Sequence, residues 1–404
     1  MATAASAIPD VIIVGGGPAG VMTGLLLARA GVSVVILEKH ADFFRDFRGD
    51  TVHPSTMEIL QQLGLLERFL QRPHSCVDGA EIHLAGRDWR IGDLSHLATP
   101  APFIAMMPQW DFLDFLSKEA RVWPGFALRM KAPVASFLQV GGRIVGVRLE
   151  DGEELRAATL VIAADGRDSL VRGALLPVES LGAPIDVFWF RLPRHGGKAG
   201  LRASVERGRL FVLIDRGDYW QCAMVIGKGQ GEALKARGIE PIREAIHAAA
   251  PDLDTTELKT VDDLKLLSVA LDRLTCWHRP GLLAIGDAAH AMSPIGGIGI
   301  NLAIQDAVAA ANILARPLAR GEDVDRLLGK VQARRLLPTR LIQAAQKLAQ
   351  DQVIGRLLEP GEPIRKAPLI VRALDRWPLL RRIPGRLIGL GIRREHVTAP
   401  AMQP

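Results

Sequence analysis

The chain has 404 residues, of which 48% are hydrophobic and 23% charged, with a formal net charge of +6. That length is more than one core can hold and suits two or three packed lobes, and the composition is ordinary for a soluble globular protein. No recognised nucleic-acid motif accompanies the positive charge, which sets nucleic acid aside as a partner.

Met1 to Asp10 lacks the basic and apolar pattern of a signal peptide, and no apolar stretch approaches the roughly 18 residues of a membrane span. Val11 to Val14 is a short, β-branched apolar run and predicts a buried strand. A glycine turn follows, then a helix over Ala19 to Ala30, and a second buried strand over Val34 to Leu37 that ends at Glu38. This is a β-α-β unit. Thr56 to Leu66 and Phe112 to Arg121 predict helices. Ile144 to Leu149, the Asp151-Gly152 turn and Leu155 to Ile162 predict a strand, a turn and a strand. Val187 to Phe190, Leu210 to Ile214 and Trp220 to Ile226 are strand-like pieces of an antiparallel sheet, and Gly227 to Gly231 reads as a loop. Leu282 to Ile285 is another buried strand, and Gly299 to Leu314 the helix after it. Beyond Arg316 the chain is mostly helical, with breaks at Pro338, Pro360, Pro378 and Pro384.

The fold expected is α/β: a Rossmann-like lobe from residues 8–75, 104–176 and 276–340, an inserted, mainly antiparallel sheet lobe from 76–103 and 177–275, and a helical basic tail over 341–404. From Val331 onward there are fourteen Lys and Arg against five Asp and Glu. This tail is a solvated helical face or a contact for an anionic surface such as a membrane. Cys76, Cys222 and Cys276 lie far apart without a CxxC spacing. They suggest neither a metal site nor disulfides, and point to a reducing, cytoplasmic setting.

Gly15, Gly17 and Gly20 fit GxGxxG directly after a strand and at the start of a helix, and Glu38 lies about 20 residues on. Gly15 permits the tight turn, Gly17 lets a pyrophosphate approach the backbone, and Gly20 allows close helix packing. The helix N-terminus offers N–H groups to the phosphates. Glu38 can accept hydrogen bonds from a ribose. This fingerprint does not separate FAD from NAD. Asp165 and Gly166 follow a second strand. Gly286 and Asp287 follow a third, with Pro294, Gly296, Gly297 and Gly299 leading into a helix that carries Asn301 and Asp306.

In this order and spacing the three motifs resemble the flavoprotein monooxygenases related to para-hydroxybenzoate hydroxylase and the ubiquinone-biosynthesis hydroxylases. The resemblance spans about Val11 to His396 and implies FAD as cofactor, with NAD(P)H and dioxygen as co-substrates. It implies hydroxylation of an electron-rich phenolic, quinol or polycyclic molecule through a C4a-hydroperoxide of the flavin, with no catalytic side chain required. It implies that Glu38, beside Lys39, binds the adenosine ribose. Arg48 and Gln109 match residues on the flavin's phosphate and ribityl region. Asp165 matches the aspartate serving FAD and nicotinamide, and Asp287 the one on the ribityl hydroxyls. Gly15, Gly17, Ala19, Gly20, Gly286, Gly299, Ile300 and Asn301 complete the cofactor set, and Pro294, Gly296 and Gly297 lie beside the ring. The chain departs from the family pattern at Ile298, where glutamine is frequent, and at its single tyrosine, Tyr219. A phenol-binding tyrosine site therefore cannot be transferred. Tyr219 and Trp220 wall a substrate pocket or simply pack in the sheet. A reductase or dehydrogenase on the same fold, or a non-catalytic FAD-binding protein, remain the alternative functions.

Overall fold

The structure is a computed structural model and describes residues 8–44, 51–195, 201–206, 209–354 and 367–402. Among these, helices α1 (Pro18–Arg29), α2 (Pro54–Gln62), α3 (Leu66–Leu70), α4 (Gln109–Ala120), α5 (Gly231–Lys235), α6 (Glu240–Ala249), α7 (Gly299–Ala319), α8 (Asp325–Leu348), α9 (Leu369–Arg376) and α10 (Pro378–Leu390) surround two principal sheets.

The first sheet runs in the order His278–Arg279, Leu282–Ala284, Leu160–Ala163, Val11–Val14, Val34–Leu37, Phe126–Arg129. All its pairings are parallel except the outer His278–Arg279 edge. Its strands read as unbroken apolar runs because both faces are covered. Val11, Ile13, Val34, Ile36, Leu160 and Ile162 pack with α1, α2, α4 and α7. The alternate residues Ile12, Val14, Val161 and Ala163 pack with Trp277 and the hairpin around Ile144 and Val147.

The second sheet runs Lys265–Ser268, Ile185–Pro193, Tyr219–Gly227, Arg209–Asp215, Leu201–Glu206, Gly79–Leu84, Arg87–Asp93. It is antiparallel but for the Leu201–Glu206 and Gly79–Leu84 pair. Alternation along its strands divides two cores. Phe188, Phe190, Leu192, Trp220 and Cys222 pack with α6, while Val187, Trp189, Val212 and Ala223 pack on the opposite face with Ile295 and Val371. The chain is thus α/β, with a Rossmann-like sheet, an inserted antiparallel sheet and C-terminal helices.

Several sequence expectations need correction. The run Thr56 to Leu66 is not one helix. Gly64 takes φ +71° and ends α2, and α3 starts afresh. The run Leu155 to Ile162 is two strands, Glu154–Arg156 in a hairpin and Leu160–Ala163 in the parallel sheet. Pro338 lies inside α8 without breaking it. Gln343 Nε2 donates to the Asp272 carbonyl (2.8 Å) and Gln346 Nε2 to the Ser293 carbonyl (3.0 Å). These buried anchors help offset the roughly 3 kcal/mol that an internal proline costs. Pro384 lies inside α10, whereas the break expected at Pro378 is present, since α9 ends at Arg376 and Pro378 opens α10; Pro360 lies outside the described residues. The loop after Gly227 is followed at once by the short α5, and it is tied down by Lys228 Nζ, which donates to Asp186 Oδ1 (2.9 Å). Finally, the helical stretch Ile295–Ala319 is long and apolar enough to cross a membrane, with a mean hydropathy of 1.5, but 83% of that window is buried inside the fold. It is the central core helix, packed against α1.

Candidate cofactor site

Three turns at the carboxyl ends of adjacent parallel strands build the site. In the first, Gly15 has φ +104°, and a Cβ there would sit 2.4 Å from the Ala164 carbonyl oxygen. A Cβ on Gly20 would sit 2.0 Å from the Gly15 oxygen. Both glycines are required by close approach. Gly17 differs: its φ is −75°, and nothing lies within 4 Å of its would-be Cβ. That open space, in front of a helix that starts without a side-chain cap, fits a pyrophosphate approaching free N–H groups. Glu38 is buried at the lip of this turn, where Oε2 accepts from the Gly16 N–H (2.9 Å) and Oε1 from the His40 N–H (3.0 Å). Lys39 beside it is exposed.

Asp165 opens the second turn. Its Oδ2 accepts from the Leu170 N–H (3.0 Å), whereas Oδ1 is buried with no partner. Burial pushes this carboxyl above the usual carboxylate range, against the Ser169 and Leu170 hydrogen bonds. An orphaned buried acceptor suits a ligand hydroxyl or amide.

Gly286 opens the third turn at φ +60°, and a Cβ there would meet the Ala19 side chain at 2.9 Å. The third turn and α1 are therefore in contact. Arg172 Nη1 donates to the carbonyls of Asp287 (3.3 Å) and Ala288 (3.2 Å). Arg167 Nη2 lies 3.4 Å from Asp287 Oδ2 and so bridges the second and third turns.

The chain then runs through Pro294 to Gly296 (φ +78°) and Gly297 (φ +61°), two residues before α7 begins at Gly299. The Gly297 N–H donates to the Pro294 carbonyl (3.0 Å), and Thr51 Oγ1 donates to the Gly297 carbonyl (2.8 Å). His53 next to it is fully buried, and its Nδ1–H donates to the Ile388 carbonyl (2.8 Å). Burial holds this imidazole down at about 4. Ile300 and Asn301 are buried at the start of α7, and the Thr56 hydroxyl donates to Asn301 Oδ1.

Gly15, Gly17, Ala19, Gly20, Glu38, Asp165, Gly286 and Asp287 are thus brought together at the carboxyl ends of the parallel strands. Pro294, Gly296, Gly297 and Gly299 form the turn that follows, and Ile300 and Asn301 start the helix beyond it. Gln109 opens α4, half-buried, and among the described residues its side chain makes no hydrogen bond to these turns. Arg48 lies outside the described residues. Trp220 does not wall a pocket on the Ile295 side, because strand alternation turns it into the α6 core. Tyr219 lies under Arg191, whose guanidinium carbon is 4.9 Å from the ring centre. Arg167 and Thr51 escaped the sequence reading. Arg167 stands two residues after Asp165, and Thr51 touches the glycine turn only through a contact 246 positions away.

The chain matches the family model described as FAD binding domain over residues 9–345. It is 33% identical over 383 residues to 6-methylpretetramide 4-monooxygenase of Streptomyces rimosus, covering 93% of this chain and 91% of that protein. It is 26% identical over 339 residues to para-nitrophenol 4-monooxygenase of Pseudomonas sp. strain WBC-3, covering 79% and 81%. In fold it is similar to P. aeruginosa PqsL solved with 2-aminobenzoylacetate, with a TM-score of 0.74 at 23% identity over 87% of this chain and 97% of that one. The open Gly17 cradle, the orphaned Asp165 oxygen and the half-exposed Asp287 carboxylate fit the cofactor of that family. The chain belongs to the FAD-dependent monooxygenases related to para-hydroxybenzoate hydroxylase.

Proposed function

We propose that this monooxygenase draws its electrons from NAD(P)H and hydroxylates a polycyclic or phenolic aromatic molecule that enters between the glycine turn and the inserted sheet. One observation carries this reading. Ile295, inside the turn that follows Asp287, packs against the same apolar cluster of the sheet as Trp189 and Val212 do. A neighbouring apolar group of Met106, Ile214, Leu390, Leu201 and Ile388 lines the same side. Such walls suit a flat apolar ring system, and the polycyclic compound named for the Streptomyces relative is of that class.

FAD when bound supplies the oxygen-transfer chemistry. The protein's part is to hold and shield it. Gly17 and the α1 N-terminus take the pyrophosphate, Glu38 a ribose, and Asp287 the ribityl hydroxyls. The N-terminus of α7 directs its positive end toward the turn at Gly296 and Gly297, which favours negative charge on the reduced ring. The apolar walls exclude water and orient the substrate. In this division residues 8–75, 104–176 and 276–340 serve the cofactor and 76–103 and 177–275 the substrate. The test is a screen of polycyclic and phenolic compounds for stimulated NAD(P)H oxidation, followed by mass spectrometry under labelled dioxygen. Products without incorporated label would overturn the reading in favour of a dehydrogenase.

The basic tail supports a second role. Along α9 and α10 Leu369, Ile370, Trp377, Leu379 and Ile383 are each more than half exposed, among exposed Arg372, Arg376, Arg382 and Arg386. This face supports peripheral contact with anionic lipid. Cosedimentation with anionic but not neutral vesicles at low salt, lost at high salt, is the expected result; equal soluble fractions with both would remove it.

A further inference from the structure

Beneath the cofactor site a carboxylate is buried where an apolar residue would be expected. Asp306 lies in the middle of α7, the apolar core helix, with no exposed surface. A buried carboxylate is tolerated only when paired and hydrogen-bonded. Its Oδ1 accepts from Arg335 Nε of α8 (2.9 Å). Its Oδ2 accepts from His290 Nε2 (2.6 Å) and from the backbone N–H of Gly286 (3.0 Å). Burial acts to raise this carboxyl, but His290 and Arg335 outweigh it and hold it below the usual range.

The Gly286 contact gives the cluster its direction. Gly286 sits in the left-handed region and starts the turn that presents Asp287. That turn is gripped from beneath by Asp306 and from the side by Arg172. From the far side Arg335 Nη1 reaches Glu395 Oε1 (3.4 Å) and the Arg393 carbonyl (3.3 Å), and Arg334 Nε donates to Glu395 Oε1 (2.7 Å). The Glu395 N–H in turn donates to Gln305 Oε1 on α7. One carboxylate therefore joins the Asp287 turn, α8 and the C-terminal segment.

We infer that Asp306 is a positioning residue for flavin binding, fixing the backbone of the turn so that Asp287 faces the cofactor, with Arg335 and Glu395 holding Asp306 itself in place. The inference rests on Asp287 being a flavin ligand. Asn at position 306 keeps the shape but replaces one acceptor oxygen with a donor, which opposes the Gly286 and His290 donors or the Arg335 donor. A double-mutant cycle read by FAD titration of the apoprotein tests the coupling. Asp306→Asn alone is expected to raise the FAD dissociation constant at least tenfold and to shift the bound flavin's visible absorbance. In the Asp287→Ala background the same substitution is expected to change affinity less than twofold. If the two effects multiply independently, or if Asp306→Asn lowers the melting temperature while the folded apoprotein keeps full FAD affinity, the inference is wrong. If Asp287→Ala alone leaves affinity unchanged, it is the ligand role of Asp287 that fails. Should Asp306→Asn not fold, the pair His290→Gln and His290→Leu replaces it. Gln can still donate to Asp306 and is expected to keep affinity within threefold, whereas Leu loses tenfold; equal affinities would overturn the inference.

Discussion

At Gly17 the backbone is ordinary and the side-chain direction is empty. Valine there costs the fold little and fills the space proposed for the pyrophosphate, so Gly17→Val is expected to fold yet purify without FAD; a retained flavin stoichiometry would refute the cradle. Gly297 is the opposite case. Its φ is +61°, and a Cβ would meet Thr51 Oγ1 at 2.5 Å. Gly297→Val therefore strains the turn itself before any ring is present, and is expected to lower the apoprotein's melting temperature as well as its turnover. In the proposed role of Asp287, Asp287→Ala removes charge-assisted hydrogen bonds to the flavin worth on the order of 1.5–3 kcal/mol each, so FAD affinity is expected to fall tenfold or more with the fold intact. His53 adds a pH dependence. Its folded value of about 4 lies below the ordinary value near 6.5 that it has when unfolded. The unfolded chain therefore binds the extra proton first as pH falls, and stability drops between about pH 7 and 4. Between pH 7.5 and 5 this amounts to about 2 kcal/mol. Denaturant titrations of wild type and His53→Gln at both pH values measure it, and an equal pH dependence in the two proteins would contradict it.

Among the elements, α10 shows most clearly how packing overrides local preference. It holds Pro384 in its interior and two glycines on its buried face. A proline at 384 leaves the Leu380 carbonyl without its helical partner, but Leu380 is exposed and water can serve it. The glycines are there for contact. A Cβ on Gly385 would lie 1.8 Å from the Asp93 carbonyl oxygen, and one on Gly389 2.7 Å from Leu97. Gly385→Ala is expected to push α10 off the Arg87–Asp93 strand, costing about 1–3 kcal/mol, and to raise hydrogen exchange in α10 ahead of the parallel sheet. Unchanged exchange would mean that the helix accommodates the methyl by sliding. The parallel strands and α1, by contrast, were legible from the sequence, because doubly buried strands must be continuous apolar runs and the glycine turn between them has a fixed pattern. The splitting of Leu155 to Ile162 was not legible. Both halves are strand-like, and only their different partners, a hairpin and a parallel neighbour, separate them.

For the whole molecule, one glycine fingerprint of the dinucleotide type opens on the parallel sheet. With NAD(P)H as the proposed electron donor, its nicotinamide would reach the flavin by movement of the flavin or of the two lobes. Flavin reduction measured anaerobically by stopped flow is expected to be slow with NAD(P)H alone and faster by at least tenfold with the true substrate. Equal rates with a compound proven to be hydroxylated would rule out that gating and leave the FAD assignment standing.

The sequence by itself determined the β-α-β start, the three motif turns and the family, since each depends on residues close together in the chain: glycines where the backbone must be approached, carboxylates at strand ends, apolar runs between them. Only the tertiary structure decided that Arg167 bridges to Asp287, that Thr51 clamps Gly297, that Trp220 turns away from Ile295, and that Asp306 reaches back to Gly286. These contacts join positions from 20 to 246 apart, and a side chain's partner across such a gap is set by how sheets and helices stack rather than by any local pattern. For the same reason Asp306 was readable as a polar residue on a helix, while its grip on the cofactor turn was not.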